Sequence, residues 1–497
     1  MLYNSTRDNL QTVESAYAIA HGISKEGGLF VPQTIPALTE VDFKALKDMT
    51  YVERAKYILK LFLTDFTDEE LDYCVKGAYL GSFDNELPAP LFALDNNVNI
   101  LELWHGPTCA FKDLALQILP YLLTTSSKKV GDGKKTVILV ATSGDTGKAA
   151  LEGFKDVEGT EIMVFYPNDG VSAMQQRQMN TQEGKNVYVC AINGNFDDAQ
   201  TGVKTIFTND DIKALLSNNN MEFSSANSIN WGRLAPQIIY YISSYCDLMD
   251  KGEDYLNDGF NVVVPTGNFG NILAAYYARQ MGAPINKLIC ASNSNNVLTD
   301  FLKNGTYDRN RDFYTTVSPS MDILISSNLE RMLYELTNHN DKQVAAWQSS
   351  LTTEGKYTVS DEVLTKLKEL FFGGYCDEES TYQTIKEIFE KHGYLIDTHT
   401  AVAVSVYNDY KEQTGDNRPV VIASTASPYK FANSVLEALG QTVPENEFDA
   451  ASKLSSSTNT NIPAPIAALE NATVRFNNVC EKQDMNKVVL NHLGITL

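Results

Sequence analysis

The chain contains 497 residues, with 62 acidic and 40 basic side chains, and its net charge of -22 argues against nucleic acid as a partner. A chain of this length can form two or three domains, which is typical of a multi-domain enzyme. No apolar run approaches the roughly 18 residues of a membrane span, so we expect no contact with a membrane. The seven cysteines show no C-x-x-C pair or metal-ligand spacing, and the polar N-terminus does not resemble a signal peptide. We therefore expect no metal site and a reducing compartment, the cytoplasm.

Hydrophobic periodicity divides the chain into two parts. Residues 1–90 predict a mainly helical N-terminal domain, because apolar residues recur at spacings of three and four. Residues 91–497 predict a large α/β region with a smaller α/β subdomain around 137–225 and an insertion around 303–379. Short apolar, β-branched runs alternate with amphipathic segments. This alternation predicts a parallel sheet whose two faces are covered by helices. These runs are Thr136–Ser143, Glu161–Pro167, Asn186–Ile192, Asn261–Thr266, Lys287–Ser292 and Pro419–Thr425.

The loop PTGNFGN follows one of these strands and leads into a helix. In open α/β sheets, ligands bind where loops leave the carboxyl ends of the strands. Gly267 and Gly270 permit a close approach of the backbone, and a helix start offers unpaired N–H donors to a phosphate. Those donors would belong to Asn268, Phe269, Gly270 and Asn271. An ordinary strand-to-helix turn is the alternative interpretation of such a short glycine motif.

A second glycine-rich loop, TSGDTGKAA, follows the first predicted strand of the α/β region. It does not match a nucleotide P-loop, because its glycines are too close together and Ala149 stands where a metal-binding hydroxyl is needed. The hydroxyl groups of Thr142, Ser143 and Thr146, with the neighbouring N–H groups, could hold a carboxylate. Asp145 would either cap the following helix or touch a bound cofactor.

Lys112 lies in the segment LWHGPTCAFKDLALQ, between Phe111 and an apolar helical pattern. A lysine in apolar surroundings has a lowered pKa and can form an imine. Composition alone would instead make Lys112 one solvated surface lysine among many. The sequence around it therefore decides which interpretation is preferred.

The segment HGPTCAFKD resembles the lysine segment of threonine synthases, a family of pyridoxal-phosphate enzymes. Further segments agree with that family in order along nearly the whole chain. They are YNSTR (Tyr3 to Arg7), GGLFVP (Gly27 to Pro32), TSGDTG (Thr142 to Gly147), NSINWGR (Asn227 to Arg233), PTGNFGN (Pro265 to Asn271), DTHTAVA (Asp397 to Ala403) and STASPYKF (Ser424 to Phe431). The YNSTR opening and the length resemble the longer bacterial and fungal branch.

This resemblance implies a fold type II enzyme, similar to the β-subunit of tryptophan synthase, with pyridoxal 5'-phosphate as cofactor. It implies that Lys112 forms the Schiff base, that the loop from Gly267 to Asn271 holds the cofactor phosphate, and that Thr425 contacts the pyridine nitrogen. The implied reaction converts O-phospho-L-homoserine and water to L-threonine and phosphate. The turn from Thr142 to Thr146 would hold the substrate carboxylate.

Departure of a phosphate needs cationic or N–H support. Arg233 is our first candidate for that role, although it could instead pair with an acidic neighbour. Weaker candidates are Ser5, Thr6, Arg7 and Lys148; Lys148 replaces the small residue expected after GDTG and could also point outward. His105 and His399 lie inside matched segments, where each could be a structural hydrogen-bonding residue or move protons.

Two other functions remain open from the sequence. The chain could be another fold type II lyase acting on a different phosphorylated or hydroxylated amine, or a relative that has lost catalysis. Formation of threonine distinguishes the first alternative, and failure to bind the cofactor would indicate the second. The sequence does not determine the oligomeric state.

Overall fold

A computed structural model describes residues 1–84, 87–131, 133–142, 144–169 and 171–495. The strands in this part of the chain are β1 (Leu2–Ser5), β2 (Asp8–Glu14), β3 (Phe30–Pro32), β4 (Leu91–Ala93), β5 (Val98–Glu102), β6 (Lys135–Ala141), β7 (Thr160–Pro167), β8 (Val187–Asn193), β9 (Met221–Ser224), β10 (Phe260–Pro265), β11 (Ile285–Ser292), β12 (Thr306–Asp308), β13 (Lys356–Thr358), β14 (Phe371–Tyr375), β15 (Val420–Ser424) and β16 (Val479–Glu481).

The α-helices of the described residues follow the strands in alternation over much of the chain. They are α1 (Ser15–His21), α2 (Glu40–Lys47), α3 (Tyr51–Phe62), α4 (Asp68–Tyr79), α5 (Asp113–Leu116), α6 (Leu119–Val130), α7 (Asp145–Phe154), α8 (Ala173–Asn180), α9 (Phe196–Thr208), α10 (Asp210–Asn218), α11 (Trp231–Leu248), α12 (Gly270–Gln280), α13 (Val297–Asn304), α14 (Leu329–Leu336), α15 (Asp341–Thr353), α16 (Asp361–Leu370), α17 (Glu378–His392), α18 (Thr398–Thr414), α19 (Ala432–Ala438), α20 (Glu447–Thr458), α21 (Ala464–Ala467) and α22 (Met485–His492).

Two parallel sheets form the centre of the molecule. The larger has six strands in the order β14-β11-β10-β15-β5-β4, and only its edge strand β4 runs antiparallel. The smaller has five parallel strands in the order β16-β8-β7-β6-β9. The six strands predicted from the sequence are confirmed, and three of them belong to each sheet. The strands β5 and β14 were missed because their runs are short, with Asn99 inside β5 and two glycines inside β14.

Both faces of the central strands are buried. In β10, Val262 and Val264 belong to one hydrophobic core, whereas Val263 belongs to another on the opposite face. In β6, Ile138 and Val137 divide in the same way between two cores. Since successive side chains of a strand point to opposite faces, helices must cover each side. The predicted class, α/β with parallel sheets covered on both faces, is confirmed.

The N-terminal residues form helices α1 to α4 and also a small antiparallel sheet, in the order β2-β1-β3, that periodicity did not predict. Thr39, Thr50 and Thr67 start α2, α3 and α4 with capping boxes, each completed by an acidic residue three positions later. Tyr3 of β1 donates a hydrogen bond to the carbonyl of Phe62 at 3.0 Å. The N-terminal strand is therefore held against the helices that follow it.

The helix α11 runs through the interior and is buried along nearly its whole length. Its first residue, Trp231, packs edge-on against Tyr3, Phe62 and Tyr277 with ring centroids 5.5 to 5.6 Å apart. This aromatic cluster connects the N-terminal segment, α11 and α12. The start of α11 is thus fixed against the N-terminal segment and α12.

Candidate active site

The segment from Leu103 to Lys112 leaves the carboxyl end of β5 and crosses to the end of β15. Its amide at Phe111 donates to the carbonyl of Thr425 at 2.8 Å, and Cys109 takes a left-handed backbone conformation with φ 56°. Lys112 immediately precedes the short helix α5. The chain therefore presents the Lys112 side chain beside the carboxyl ends of the large sheet.

A buried carboxylate holds this segment in shape. Asp113 accepts hydrogen bonds from the backbone N–H of Thr108 at 2.8 Å and from its hydroxyl at 2.7 Å. Gly106 leaves the space for this contact, since a Cβ there would lie 2.5 Å from Asp113 Oδ2. Burial raises the pKa of Asp113 to about 6, against the opposing hydrogen bonds from Thr108. Asp113 is thus a structural partner of the lysine loop.

The amine of Lys112 has a lowered pKa. Burial lowers its pKa to about 8, against the opposing charge of Asp145, and the neighbouring cations Lys430 and Arg233 lower it further. Nζ donates a hydrogen bond to Ser320 Oγ at 3.3 Å. An amine with this pKa carries a reactive unprotonated fraction near neutral pH, as imine formation requires.

The loop from Gly267 to Asn271 forms a cradle of unpaired donors at the start of α12. Phe269 precedes the helix with φ 63°, and its side chain has no acceptor to cap the first N–H groups. The side chain of Asn271 is buried, its Oδ1 accepts from Tyr241, and its Nδ2 has no partner. A buried amide without a partner is costly, and a phosphate at the helix start would satisfy it. These donors fit the phosphate of a cofactor.

The cradle is held from the opposite side by residues that the sequence did not single out. Asn328 donates through its backbone N–H to the carbonyl of Asn268 at 3.0 Å, and its Nδ2 donates to the same carbonyl at 3.1 Å. Ser326 Oγ donates to the carbonyl of Gly267 at 2.6 Å. Asn328 lies 60 positions after Asn268 in the sequence. No local pattern could therefore have identified these residues.

We expect alanine at Gly267 and at Gly270 to have different effects. A Cβ at Gly267 would lie 2.7 Å from the carbonyl oxygen of Ser320, whereas at Gly270 the nearest atom is 3.5 Å away. Gly267→Ala should therefore lower the melting temperature of the cofactor-free protein, and Gly270→Ala should leave it nearly unchanged while weakening cofactor binding by about tenfold or more. Calorimetry and cofactor titration measure both quantities. Equal cofactor affinity of Gly270→Ala and the natural chain would contradict a phosphate at this turn.

The turn between β6 and α7 is organised by its own side chains. Thr142 Oγ1 accepts from the N–H groups of Gly144 and Gly147 at 3.0 and 2.9 Å. Thr146 lies half-buried in the first turn of α7, and Ser143 lies outside the described residues. The residue before the helix is Gly144, so Asp145 is not the N-cap that sequence reasoning considered.

Asp145 instead forms a buried ion pair. Its Oδ1 lies 2.8 Å from Nζ of Lys430 and accepts from Gln175 Nε2 at 3.2 Å. Although burial opposes it, Lys430 and Lys112 hold the pKa of Asp145 well below its usual range. Lys430 also donates to the carbonyl of Thr108 at 3.0 Å. Lys430 therefore joins the STASPYKF segment both to α7 and to the lysine loop, a role that the sequence did not reveal.

Arg233 is buried at the start of α11 without a counter-charge. Its Nη1 donates to the carbonyl of Ala226 at 2.8 Å, while its Nε has no hydrogen-bond partner. Burial alone lowers its pKa to about 10, and among the described residues no carboxylate forms an ion pair with it. The alternative of an acidic neighbour is therefore wrong. A buried cation with an unused donor near Lys112 is suited to binding an anion.

The weaker candidates for anion binding are already engaged. Arg7 forms a two-point ion pair with Glu330 at 2.8 and 2.7 Å, and Thr6 donates to the same carboxylate at 2.6 Å. Ser5 donates to Glu26. These contacts attach the YNSTR segment to α14 and to the loop that follows α1, so Arg7 is not available to a ligand.

Lys148 and His105 also have internal partners. Lys148 pairs with Glu152 at 3.0 Å, so it does not add a free charge to the site. His105 lies between Asp84 and Glu102, at 2.7 and 2.8 Å. This geometry gives His105 a structural position.

Three family models match successive parts of the chain: the threonine synthase N terminus matches residues 2–79, the pyridoxal-phosphate-dependent enzyme model residues 84–425, and the threonine synthase C-terminal model residues 400–489. The chain belongs to the threonine synthase family. Its predicted cofactor, pyridoxal phosphate, and its fold type II class are thereby confirmed.

Individual threonine synthases agree with this assignment. That of Pseudomonas aeruginosa is 37% identical over 443 residues, which cover 89% of this chain and 91% of the relative. Human threonine synthase-like 1 is 40% identical over 85% of this chain, but the chain spans only 57% of that relative's length. The X-ray structure of PLP-bound threonine synthase from Brucella melitensis matches with a TM-score of 0.88 at 35% identity and 99% coverage of both chains. The yeast threonine synthase structure matches with a TM-score of 0.87 at 32% identity, covering 99% of this chain and 98% of its own.

Two further features are absent from the described residues. None of the helices there is long and apolar enough to cross a membrane. Nor does that part of the chain bring together three or more His, Cys, Asp or Glu side chains in a group that could hold a metal ion.

Proposed function

We propose that this member of the threonine synthase family converts O-phospho-L-homoserine and water to L-threonine and phosphate. The observation that carries the proposal is the buried cation Arg233, whose Nε has no partner, near the amine of Lys112. Lys112 supplies a reactive amine, and Arg233 supplies a place for a leaving anion. A small-molecule substrate with both an amino group and a phosphate uses both features.

Lys112 has two roles in this proposal. It binds the cofactor through its amine and, once the substrate amine has displaced it, becomes a base next to the substrate's Cα. Pyridoxal phosphate supplies electron withdrawal from the carbons beside the substrate amine. The lowered pKa of Lys112, about 8, suits a base that must accept and return protons at Cα and then Cβ near neutral pH.

The loop from Gly267 to Asn271 is proposed to hold the cofactor phosphate through the helix start and the unpaired Nδ2 of Asn271. Thr425 is proposed to place its hydroxyl at the pyridine nitrogen. It is buried at the end of β15, and its carbonyl anchors the lysine loop through Phe111. A neutral hydroxyl would not force that nitrogen to stay protonated.

The substrate's two anionic groups would lie at different places. Arg233 is proposed to support the phosphate as it leaves Cγ, before water adds at Cβ. The turn with Thr142, Ser143, Asp145 and Thr146 is proposed to hold the carboxylate. Since the side chain of Asp145 is neutralised by Lys430, its contribution to an anion would come from its backbone N–H at the start of α7.

The test incubates the cofactor-loaded protein with O-phospho-L-homoserine and measures phosphate release and the amino-acid product. We expect L-threonine in equal amount to phosphate. Phosphate with a different product would indicate another lyase of the same fold. No turnover and no cofactor binding would indicate a non-catalytic relative.

We also propose that the protein works in the cytoplasm. All seven cysteines are free, and six of them are buried, as expected for a reducing compartment. Fractionation of cells with an antibody against the chain tests the location. Recovery in a membrane or oxidising compartment would contradict it.

A further inference from the structure

Ser320 lies at the point where four separate segments of the site meet. Its hydroxyl accepts from Lys112 Nζ at 3.3 Å, and its backbone N–H donates to His399 Nε2 at 3.2 Å. Its carbonyl oxygen lies next to Gly267, where an added Cβ would be 2.7 Å from that oxygen. Its hydroxyl also donates to Asp145 Oδ2 at 3.4 Å. No sequence motif pointed to this residue.

The segment that carries Ser320 is held in place by its own polar network. Asp322 Oδ1 accepts from Asn293 Nδ2 at 2.7 Å, from Asn295 Nδ2 at 3.0 Å and from Thr316 Oγ1 at 2.7 Å. Asn293 and Asn295 follow directly after β11. The position of Ser320 is therefore set by the large sheet.

The two hydrogen bonds of the Ser320 hydroxyl have a fixed direction. Asp145 remains a carboxylate because Lys430 pairs with it at 2.8 Å, so it can only accept. The Ser320 hydrogen must then point to Asp145, and an oxygen lone pair must point to Lys112. Ser320 thus accepts a hydrogen bond from an N–H of Lys112 in a fixed direction. It does not take up or relay a proton.

His399 fixes the backbone at Ser320. It is buried, and its Nδ1 lies 2.8 Å from Asp397 Oδ2. Since Asp397 accepts a hydrogen bond from Nδ1–H and the Ser320 N–H donates to Nε2, the geometry assigns the ring proton to Nδ1. Both ring nitrogens of His399 are therefore engaged within the protein, and His399 does not donate a proton to the substrate.

We propose that Ser320 is a further catalytic group, which turns the free amine of Lys112 so that its nitrogen lone pair faces the reacting carbon, and that His399 is the positioning residue that acts through Ser320. The inference rests on the proposed role of Lys112 as the cofactor lysine. It requires no proton transfer to Ser320. Its consequence is faster formation of the C=N bond between the Lys112 nitrogen and the cofactor aldehyde carbon, as the C=O bond breaks and its oxygen leaves as water.

The test uses the full chain stripped of cofactor and follows the absorbance that appears when pyridoxal phosphate bonds to Lys112, at saturating cofactor over a range of pH. Four charged groups face Lys112 in addition to the neutral Ser320 hydroxyl. They are Asp145 on α7, Arg233 on α11, Lys430 before α19 and the adjacent Asp113. They remain in every variant. In the natural chain the rate should rise with pH, because the unprotonated amine reacts.

We expect Ser320→Ala to lower this rate about tenfold, the worth of one oriented hydrogen bond. The midpoint of the pH profile should move to lower pH, because Ser320 no longer accepts from the charged amine. Ser320→Cys, which keeps the volume but offers a weak acceptor, should show the same fall and serves if the alanine variant is unstable. Thr315→Ala removes an exposed hydroxyl from the same loop and should match the natural chain.

The His399 variants separate positioning from general support of the fold. His399→Leu should reproduce the fall and the shift of midpoint seen in Ser320→Ala, and the double variant should be no slower than either. His399→Gln, whose amide oxygen can accept from the Ser320 N–H, should restore the rate. Unchanged rate and midpoint in Ser320→Ala would overturn the inference. Cofactor absorbance retained in Lys112→Ala would instead overturn the proposed cofactor lysine.

Discussion

Replacement of Lys112 by alanine is expected to lower threonine formation by about 10³-fold or more, because the variant loses the two roles that we propose for this lysine, the covalent attachment of the cofactor and the base at Cα. The amine of Lys112 is held at a pKa of about 8 by burial, so no exposed lysine can replace it. The measurement is the rate of threonine and phosphate release with saturating O-phospho-L-homoserine and cofactor.

Two comparisons make the result specific to Lys112. Lys391→Ala removes an exposed lysine at the end of α17 and should leave the rate unchanged. Added methylamine should partly restore the Lys112→Ala variant, because a small amine can enter the space left by the side chain and accept protons. A Lys112→Ala variant with more than a tenth of the natural rate would contradict the assignment.

Replacement of Arg233 by methionine is expected to have opposite effects on catalysis and stability. Loss of the cation should lower phosphate release about 10²- to 10³-fold, as when a preorganised donor to a developing anion is removed. The same change removes a buried charge that lacks a partner at Nε, so the free energy of unfolding of the substrate-free protein should rise by about 1 kcal/mol or more. Urea unfolding measures this stability.

Arg331→Met is the matched control for the stability effect. Arg331 is also buried, but its guanidinium donates to the carbonyl of Phe30 at 3.0 Å, to the carbonyl of Ile229 at 2.6 Å and to Asn328. Its removal leaves three acceptors unsatisfied, so the free energy of unfolding should fall by about 3 kcal/mol. If Arg233→Met destabilised the protein as much as Arg331→Met, Arg233 would be structural and its proposed role with phosphate would fail.

The sequence by itself determined the class of the fold, and it predicted the chemistry that we propose for the site. Lys112 between an aromatic residue and an apolar helix, and the two glycines at 267 and 270 after a buried strand, are local patterns with a direct physical meaning. The parallel α/β class followed from apolar runs such as that of β10, since strands buried on both faces contain few polar residues. The short strands β5 and β14 were missed because Asn99 and the paired glycines of β14 interrupt those runs.

The tertiary structure alone decided which polar groups have partners. Along the sequence, Ser320 lies 208 positions from Lys112, and Lys430 lies 285 positions from Asp145. Contacts over such separations depend on how the ends of parallel strands meet, which no local pattern encodes. The same is true of absent partners. Arg233 and Arg331 are both buried arginines, and only the packed neighbours leave Nε of Arg233 without a partner while they satisfy the guanidinium of Arg331.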